Sequence, residues 1–267
     1  MGASEPVFIG GAGRSGTTLI VDMLGQHPRL SPIYETDFVI ELCQILFAGQ
    51  QTDREEAGRQ VTAYMDAWSA LLPQRPHNKR EHERYHHGAH YILFDRSFAM
   101  RQTAEFLDGL GKTQPAVGLR GLIEALYAEH CRLDGKPRWV NKTPAYVSVL
   151  PTLRTVFPEL KFIHCVRDGR DVARSAMTRS WGPDNVPAAA HWWRKIVEQG
   201  LEFQQQYPEQ CLQVRYEDVV AEPVESLGRM LRWLGEEQDA AELVERYLTG
   251  GVRLDRSRVG EWEREMS

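Results

Sequence analysis

Cysteine is scarce: 4 of 267 residues. Cys43, Cys131, Cys165 and Cys211 stand far apart with no C-x-x-C pair. That spacing argues against a disulfide frame or a thiolate zinc site, and fits reduced thiols in a cytoplasmic, soluble protein. No apolar run approaches the roughly 18 residues of a membrane span, and the N-terminus lacks the basic-then-apolar pattern of a secretory signal. Met1-Gly2 begins like a myristoylation site, but Pro6 stands where that signal takes Ser or Thr. Repeats and low-complexity tracts are missing, and so is any basic excess: the formal net charge is −5. Nucleic acid is therefore not expected as a partner, although a local basic site remains open.

What is present is a globular balance, with 26% charged and 42% hydrophobic residues. The length suits one large domain or two small ones, and residues 1–267 read as a single domain. Val7-Phe8-Ile9 is a short apolar run closed by glycines, as a buried parallel strand would be. Leu19, Ile20, Met23 and Leu24 then recur at helical spacing until Gly25 and Pro28. Further strands are expected at Arg138–Asn141, Lys161–Val166 and Cys211–Tyr216, each followed by a helical pattern. The fold class is α/β: a P-loop-type central parallel sheet flanked by helices. Residues 36–133, mostly helical, form an insertion between the first and second strands that shapes an acceptor site. Within it, Val61, Tyr64, Met65, Trp68, Leu71 and Leu72 line one face of a helix from Ala57 to Leu72. The polar stretch 73–90 reads as a solvated loop; His86 and His90 are four apart, but Gly88 and the lack of a completing ligand argue against metal.

The most informative stretch is GGAGRSGTT, Gly10 to Thr18. A strand, a glycine-bounded turn and a helix start present several backbone N–H groups to one anion, helped by the helix dipole. Ser15, Gly16, Thr17 and Thr18 supply amide and hydroxyl donors. Yet Thr17 stands where a nucleotide triphosphatase has lysine, and Arg14 lies inside the loop. The later strand Phe162–Val166 ends in Arg167, where a triphosphatase would place a magnesium-binding aspartate. A positive charge there opposes a metal site and favours a second anion. Asp171, Ser175 and Arg179 follow at intervals of four, so Arg167, Ser175 and Arg179 can converge on one phosphate. The plain alternatives are a structural glycine turn and a surface helix with Asp–Arg pairs.

Together these two pieces resemble the sulfotransferase family, enzymes that use 3′-phosphoadenosine 5′-phosphosulfate. GRSGTT is similar to that family's 5′-phosphosulfate loop, and Arg167 to Ser175 to its 3′-phosphate site. Val140-Asn141-Lys142-Thr143-Pro144 resembles the lysine-containing strand end before a proline. Arg215-Tyr216-Glu217-Asp218 resembles the strand whose tyrosine lies by the adenine. Ser257-Arg258-Val259-Gly260-Glu261-Trp262 resembles the C-terminal segment that returns to the 3′-phosphate. The resemblance runs from residue 6 to 262, and its nearest flavour is the branch with tyrosylprotein and bacterial sulfotransferases. It implies that Arg14, Ser15, Gly16, Thr17, Thr18, Arg167, Ser175, Arg179, Tyr216, Ser257, Arg258 and Gly260 hold the donor, with 3′-phosphoadenosine 5′-phosphate as product and no metal.

The cytosolic aryl branch has a histidine base soon after its lysine strand; Lys142-Thr143-Pro144-Ala145-Tyr146 offers none. The tyrosylprotein branch places a glutamate after the first helix, so the resemblance makes Glu35 the candidate base. A capping or salt-bridging Glu35 is the plain alternative, with Asp37 and Glu41 as competitors. Arg14 and Lys142 are the cations expected to meet the leaving charge. The acceptor is a hydroxyl on a small molecule, a glycan or a peptide tyrosine, and neither its identity nor the oligomeric state is written in these motifs. Competing functions are a P-loop kinase or triphosphatase, which would need magnesium, and a non-catalytic nucleotide-binding module.

Overall fold

The apolar runs punctuated by glycine and proline become five parallel strands. The computed structural model describes residues 5–47, 53–72, 92–250 and 254–265. The strands are β1 (Val7–Gly11), β2 (Leu30–Tyr34), β3 (Arg138–Lys142), β4 (Lys161–Val166) and β5 (Cys211–Arg215). They form one sheet in the order β2-β3-β1-β4-β5, flanked by helices. Every residue of β1 is buried. Burial of both faces explains why its sequence is a continuous apolar run rather than an alternation.

The chain groups into two compact units. The first comprises Met1–Pro6, Arg29–Thr143 and Val149–Glu159. Here β2 pairs with β3 in register from Leu30 opposite Arg138 to Tyr34 opposite Lys142. The helices of this unit include α1 (Phe38–Phe47), α2 (Arg54–Ala70), α3 (Arg96–Gly109) and α4 (Pro115–Asp134). Its core is aromatic: Phe38 lies 4.6 Å from Trp68, and Tyr127 lies 5.0 Å edge-on from Trp139, between ring centroids. Such edge-on pairs stabilise by about 0.5–1.5 kcal/mol beyond their area burial.

Two expectations change here. The helical stretch follows β2, so it separates the second and third strands of the chain rather than the first and second. Leu30–Tyr34, a short strand that ends just before Glu35, pairs into the sheet and so takes second place in chain order. Leu71 does not join the buried face either; α2 ends at Ala70 and Leu71 is exposed, whereas Val61, Met65, Trp68 and Leu72 are buried. The stretch 73–90, with His86 and His90, lies outside the described residues.

The second unit comprises Val7–Pro28, Pro144–Ser148 and Leu160–Ser267. Here β4 lies between β1 and β5, pairing in parallel with each. The helix after the glycine loop, α5 (Thr17–Leu24), buries Ile20, Val21, Met23 and Leu24. The helix after β4, α6 (Gly169–Met177), starts where the Asp168 side chain accepts a hydrogen bond from Arg170 N at 2.8 Å. It buries Val172, Ala173 and Ala176, as its pattern predicts. The long helix α7 (Val186–Gln206) is capped in the same way by Asn185, which accepts from Ala188 N. All four cysteines are buried, and Cys43, Cys131 and Cys211 are free thiols. Burial pushes the Cys43, Cys131 and Cys211 thiols up to about 12, which leaves them protonated and inert.

Candidate functional site

The anion cradle belongs to the second unit. β1 runs into the loop, where Ser15 N donates to Ala12 O at 3.1 Å, and α5 begins at Thr17. Gly16 caps that helix with φ +87°, and a Cβ there would meet Tyr216 Cδ2 at 2.5 Å. Backbone conformation and ring contact thus both demand glycine. Arg14 has φ +73°, an uncommon value for a side-chain-bearing residue. Its Nε donates to Ser175 Oγ at 2.9 Å, joining the loop to α6.

Arg167 is the centre of the cradle. It is buried, with Nη1 donating to Arg14 O at 3.2 Å and Nη2 to Arg258 O at 2.6 Å. Its guanidinium carbon stands 4.5 Å from the centroid of the Tyr216 ring. Burial raises the Tyr216 pKa, against the opposing pull of the Arg167 and Arg258 charges. The hydroxyl of fully buried Ser15 and Nε of Arg167 have no hydrogen-bond partner among the described residues. Buried donors left this way beside a helix N-terminus fit an anion with several oxygens.

The C-terminal segment returns to this place. Arg258 supplies its carbonyl, while Gly260 N and Trp262 N donate to the two carboxylate oxygens of Asp171 at 2.9 and 3.0 Å. Asp171 also lies 3.6 Å from Arg167 Nη2 and is almost wholly buried. Of the donor-site residues expected from sequence, Arg14, Ser15, Gly16, Arg167, Ser175, Tyr216, Arg258 and Gly260 join this connected set. Thr17 is buried in the first turn of α5, and Thr18 is exposed. Ser257 is exposed and its hydroxyl donates to Asp255 at 2.5 Å.

Arg179 departs from expectation. α6 ends at Met177 with Thr178 as its cap, so Arg179 lies in the following turn and is exposed instead of continuing the Asp171–Ser175 stripe. Two residues were missed in the donor-site reading. Asp171 was seen as a stripe member but not as the anchor of the returning tail. Glu217, in the Arg215–Asp218 motif, accepts from Asp168 N at 2.8 Å and so ties β5 to the start of α6. An acid directly after the motif tyrosine was the available signal.

A second set of residues belongs to the first unit. Lys142, at the end of β3, is 1% exposed, and its Nζ is ion-paired with Glu35 Oε1. Glu35 follows β2 with φ +41°; its side chain is 40% exposed. Its backbone N donates to Lys142 O at 2.6 Å. Behind the pair lies a buried polar network. Thr36 Oγ1 shares a hydrogen bond with Tyr127 OH at 2.6 Å and donates to Asn141 Oδ1 at 3.1 Å. Thr36 N donates to Thr143 Oγ1 at 3.1 Å, and Asn141 Nδ2 to Ile33 O at 3.3 Å. The base reading and the salt-bridge reading of Glu35 thus meet in one residue: a partly exposed carboxylate paired to a buried cation.

Fold and cradle define an α/β protein equipped to grip a multiply charged oxyanion at the end of a parallel sheet. Residues 6–240 match the Sulfotransferase family, and the chain belongs to that family. Protein-tyrosine sulfotransferase 2 of Gallus gallus is 28% identical over 240 residues, covering 86% of this chain and 50% of that protein. Protein-tyrosine sulfotransferase 1 of Danio rerio is 26% identical over 260 residues, covering 94% of this chain and 59% of that protein. The chain therefore spans about half the length of these curated relatives. Among solved structures, the sulfotransferase domain from the Synechococcus PCC 7002 olefin synthase superposes with a TM-score of 0.62 at 21% identity. It covers 100% of this chain and 90% of that one. Among the described residues no helix is long and apolar enough to cross a membrane.

Proposed function

We propose that the protein transfers a sulfuryl group from 3′-phosphoadenosine 5′-phosphosulfate to an acceptor hydroxyl, in line and without a metal. The observation that carries this reading is the buried Arg167, bonded to the carbonyls of Arg14 and Arg258 and stacked on Tyr216. A fixed guanidinium where a magnesium-dependent enzyme needs a carboxylate suits a second phosphate on the donor and opposes a metal site. In the proposed step the acceptor oxygen bonds to sulfur as the bond from sulfur to the bridging oxygen breaks. The electron pair stays on the bridging oxygen of the departing 3′-phosphoadenosine 5′-phosphate, and the hydroxyl proton passes to Glu35. Arg14 and Lys142 are assigned to the leaving charge, Ser15, Thr17 and Thr18 to the 5′ end of the donor, and Ser175 to its 3′-phosphate. Buried free thiols support a reducing, cytoplasmic location within the same proposal.

The test uses the ³⁵S-labelled donor with a panel of phenolic, glycan and peptide-tyrosine acceptors, with and without chelator, alongside calorimetry with 3′-phosphoadenosine 5′-phosphate. Chelator-resistant transfer supports the proposal. Turnover of nucleoside triphosphates alone would favour the kinase or triphosphatase reading, and product-nucleotide binding without transfer would favour a binding module.

A further inference from the structure

The second unit holds a cavity of about 700 Å³. Its walls are the end of β4, the first turns of α6 and α7, the outer strand β5, and Trp262 of the returning tail. Neighbouring residues of a strand alternate between the two faces of a sheet. A Cβ on Gly200 of α7 would meet the His164 ring at 2.1 Å, so His164 and its register partner Gln213 face α7. Val166 and its partner Arg215, two residues on, face the same way and line the cavity with Gln213. The Arg167 guanidinium lies instead against the Tyr216 ring, which packs on Gly16 of the anion loop. Neither Tyr216 nor that loop lines the cavity, so it opens on the far face of the sheet from the anion cradle.

We propose that this cavity is a second binding site, for a small amphipathic anion: an apolar body carrying one carboxylate. The size is that of a ligand pocket, and Val166, Ala173, Trp193 and Trp262 give it apolar walls. Its polar groups fall into two sets. Trp193 Nε1 donates to Arg167 O at 3.1 Å. Arg170 donates to both carboxylate oxygens of Asp168, at 3.0 and 2.6 Å, and its guanidinium stands 3.9 Å from the Trp262 ring centroid. These groups are engaged with one another and build the wall. Gln213 and Arg215 are not: among the described residues neither side chain makes a hydrogen bond. The Glu217 carboxylate stands 3.6 Å from Arg215 Nε, beyond hydrogen-bonding reach. Three arginines against one aspartate in the lining make an anion the complementary guest. A guanidinium takes a carboxylate through two parallel N–H donors, and the Gln213 amide two residues away on the same face adds another. None of this rests on the sulfotransferase reading.

Calorimetry on the full chain with 1-naphthaleneacetate tests it, with 1-naphthaleneacetamide as the uncharged control and acetate as the control without an apolar body. Saturable binding of the acid is expected, weaker by about five- to ten-fold for the amide and by a similar factor for the acid in Arg215→Ala. Ala190→Phe should abolish it by filling the cavity from its rim. Both substituted residues are exposed, so the fold tolerates the changes. In ¹⁵N-labelled protein the acid should move the Trp193 and Trp262 indole N–H resonances, assigned from Trp193→Phe and Trp262→Phe. It should still do so in the presence of saturating 3′-phosphoadenosine 5′-phosphate. No binding, equal affinity for acid and amide, or an affinity unchanged in either variant overturns the proposal. So does displacement by the nucleotide, which puts the probe in the anion cradle. If the protein binds no nucleotide, the sulfotransferase reading falls, and the two variants still decide on the cavity.

Discussion

The anion cradle around Arg167 and the corner around Glu35 use positive charge in opposite ways. In the cradle, both bonded nitrogens of the arginine are spent on backbone carbonyls, and among the described residues no carboxylate is recorded closer to it than the 3.6 Å of Asp171. In the corner, a buried lysine is paired directly with a half-exposed carboxylate. Carbonyls hold a guanidinium in place without cancelling its charge, so it can still grip a phosphate. A direct carboxylate partner offsets the lysine's charge and gives the carboxylate a fixed place. In the proposed function the first arrangement serves binding and the second turnover.

That contrast is open to direct attack. The largest effect should come from the corner: Lys142→Ala and Glu35→Ala are expected to lower kcat by about 10²–10³ while calorimetric donor affinity holds. Undiminished turnover in either purified variant would remove it from the mechanism. Next comes the cradle, where Arg167→Ala should weaken binding of 3′-phosphoadenosine 5′-phosphate by about 10–100-fold, the worth of a charged hydrogen-bonding group. If calorimetry shows unchanged affinity, the division between binding and turnover fails.

A smaller effect is expected from the network behind Glu35. Thr36→Val strips the hydroxyl from Tyr127 and Asn141, so kcat should fall severalfold and stability by about 1–3 kcal/mol. Thr36→Ser should restore kcat, which a merely bulky defect would not allow. Equal kcat in the valine and serine variants would show that the network does not position the carboxylate.

Smallest at neutral pH, and growing only on acidification, is an effect shared by both units. Burial holds His130, in the first unit, and His164, in the second, at about 4 instead of 6.5; for His130 this outweighs the opposite pull of Asp134. Between those values the unfolded chain binds protons that the folded chain refuses. Stability is therefore fully present above pH 6.5 and is lost as pH falls towards 4, by about 1.4 kcal/mol per pH unit for each histidine. Denaturant titrations across that range should show the slope, and His164→Leu should remove its share. A slope unaltered by that substitution would contradict the assignment.

The cradle was far more legible in the sequence than the corner. Gly10 to Thr18 and Arg167 to Ser175 are contiguous patterns in which spacing carries geometry, so strand, loop, helix and arginine could be placed from letters alone. Arg179 failed because helical spacing says nothing of where a helix stops. In the corner, Glu35 and Lys142 came only through a family resemblance. Their supports, Thr36, Tyr127, Asn141 and Thr143, are scattered over α4, β3 and the residues just after β2 and β3, and only strand pairing and helix packing bring them together.

The Asp171 carboxylate gives the returning tail an unusual tolerance. It grips the amides of residues 260 and 262, not their side chains. Such a clasp by itself counts residues without reading them; identity is read elsewhere, by the φ of +67° at Gly260 and by the Arg170 guanidinium 3.9 Å from the Trp262 ring centroid. Proline at 262, or one residue inserted between Arg258 and Gly260, would misalign the strap even with those contacts kept. The length of this segment is thus fixed by one carboxylate, and its letters by separate contacts.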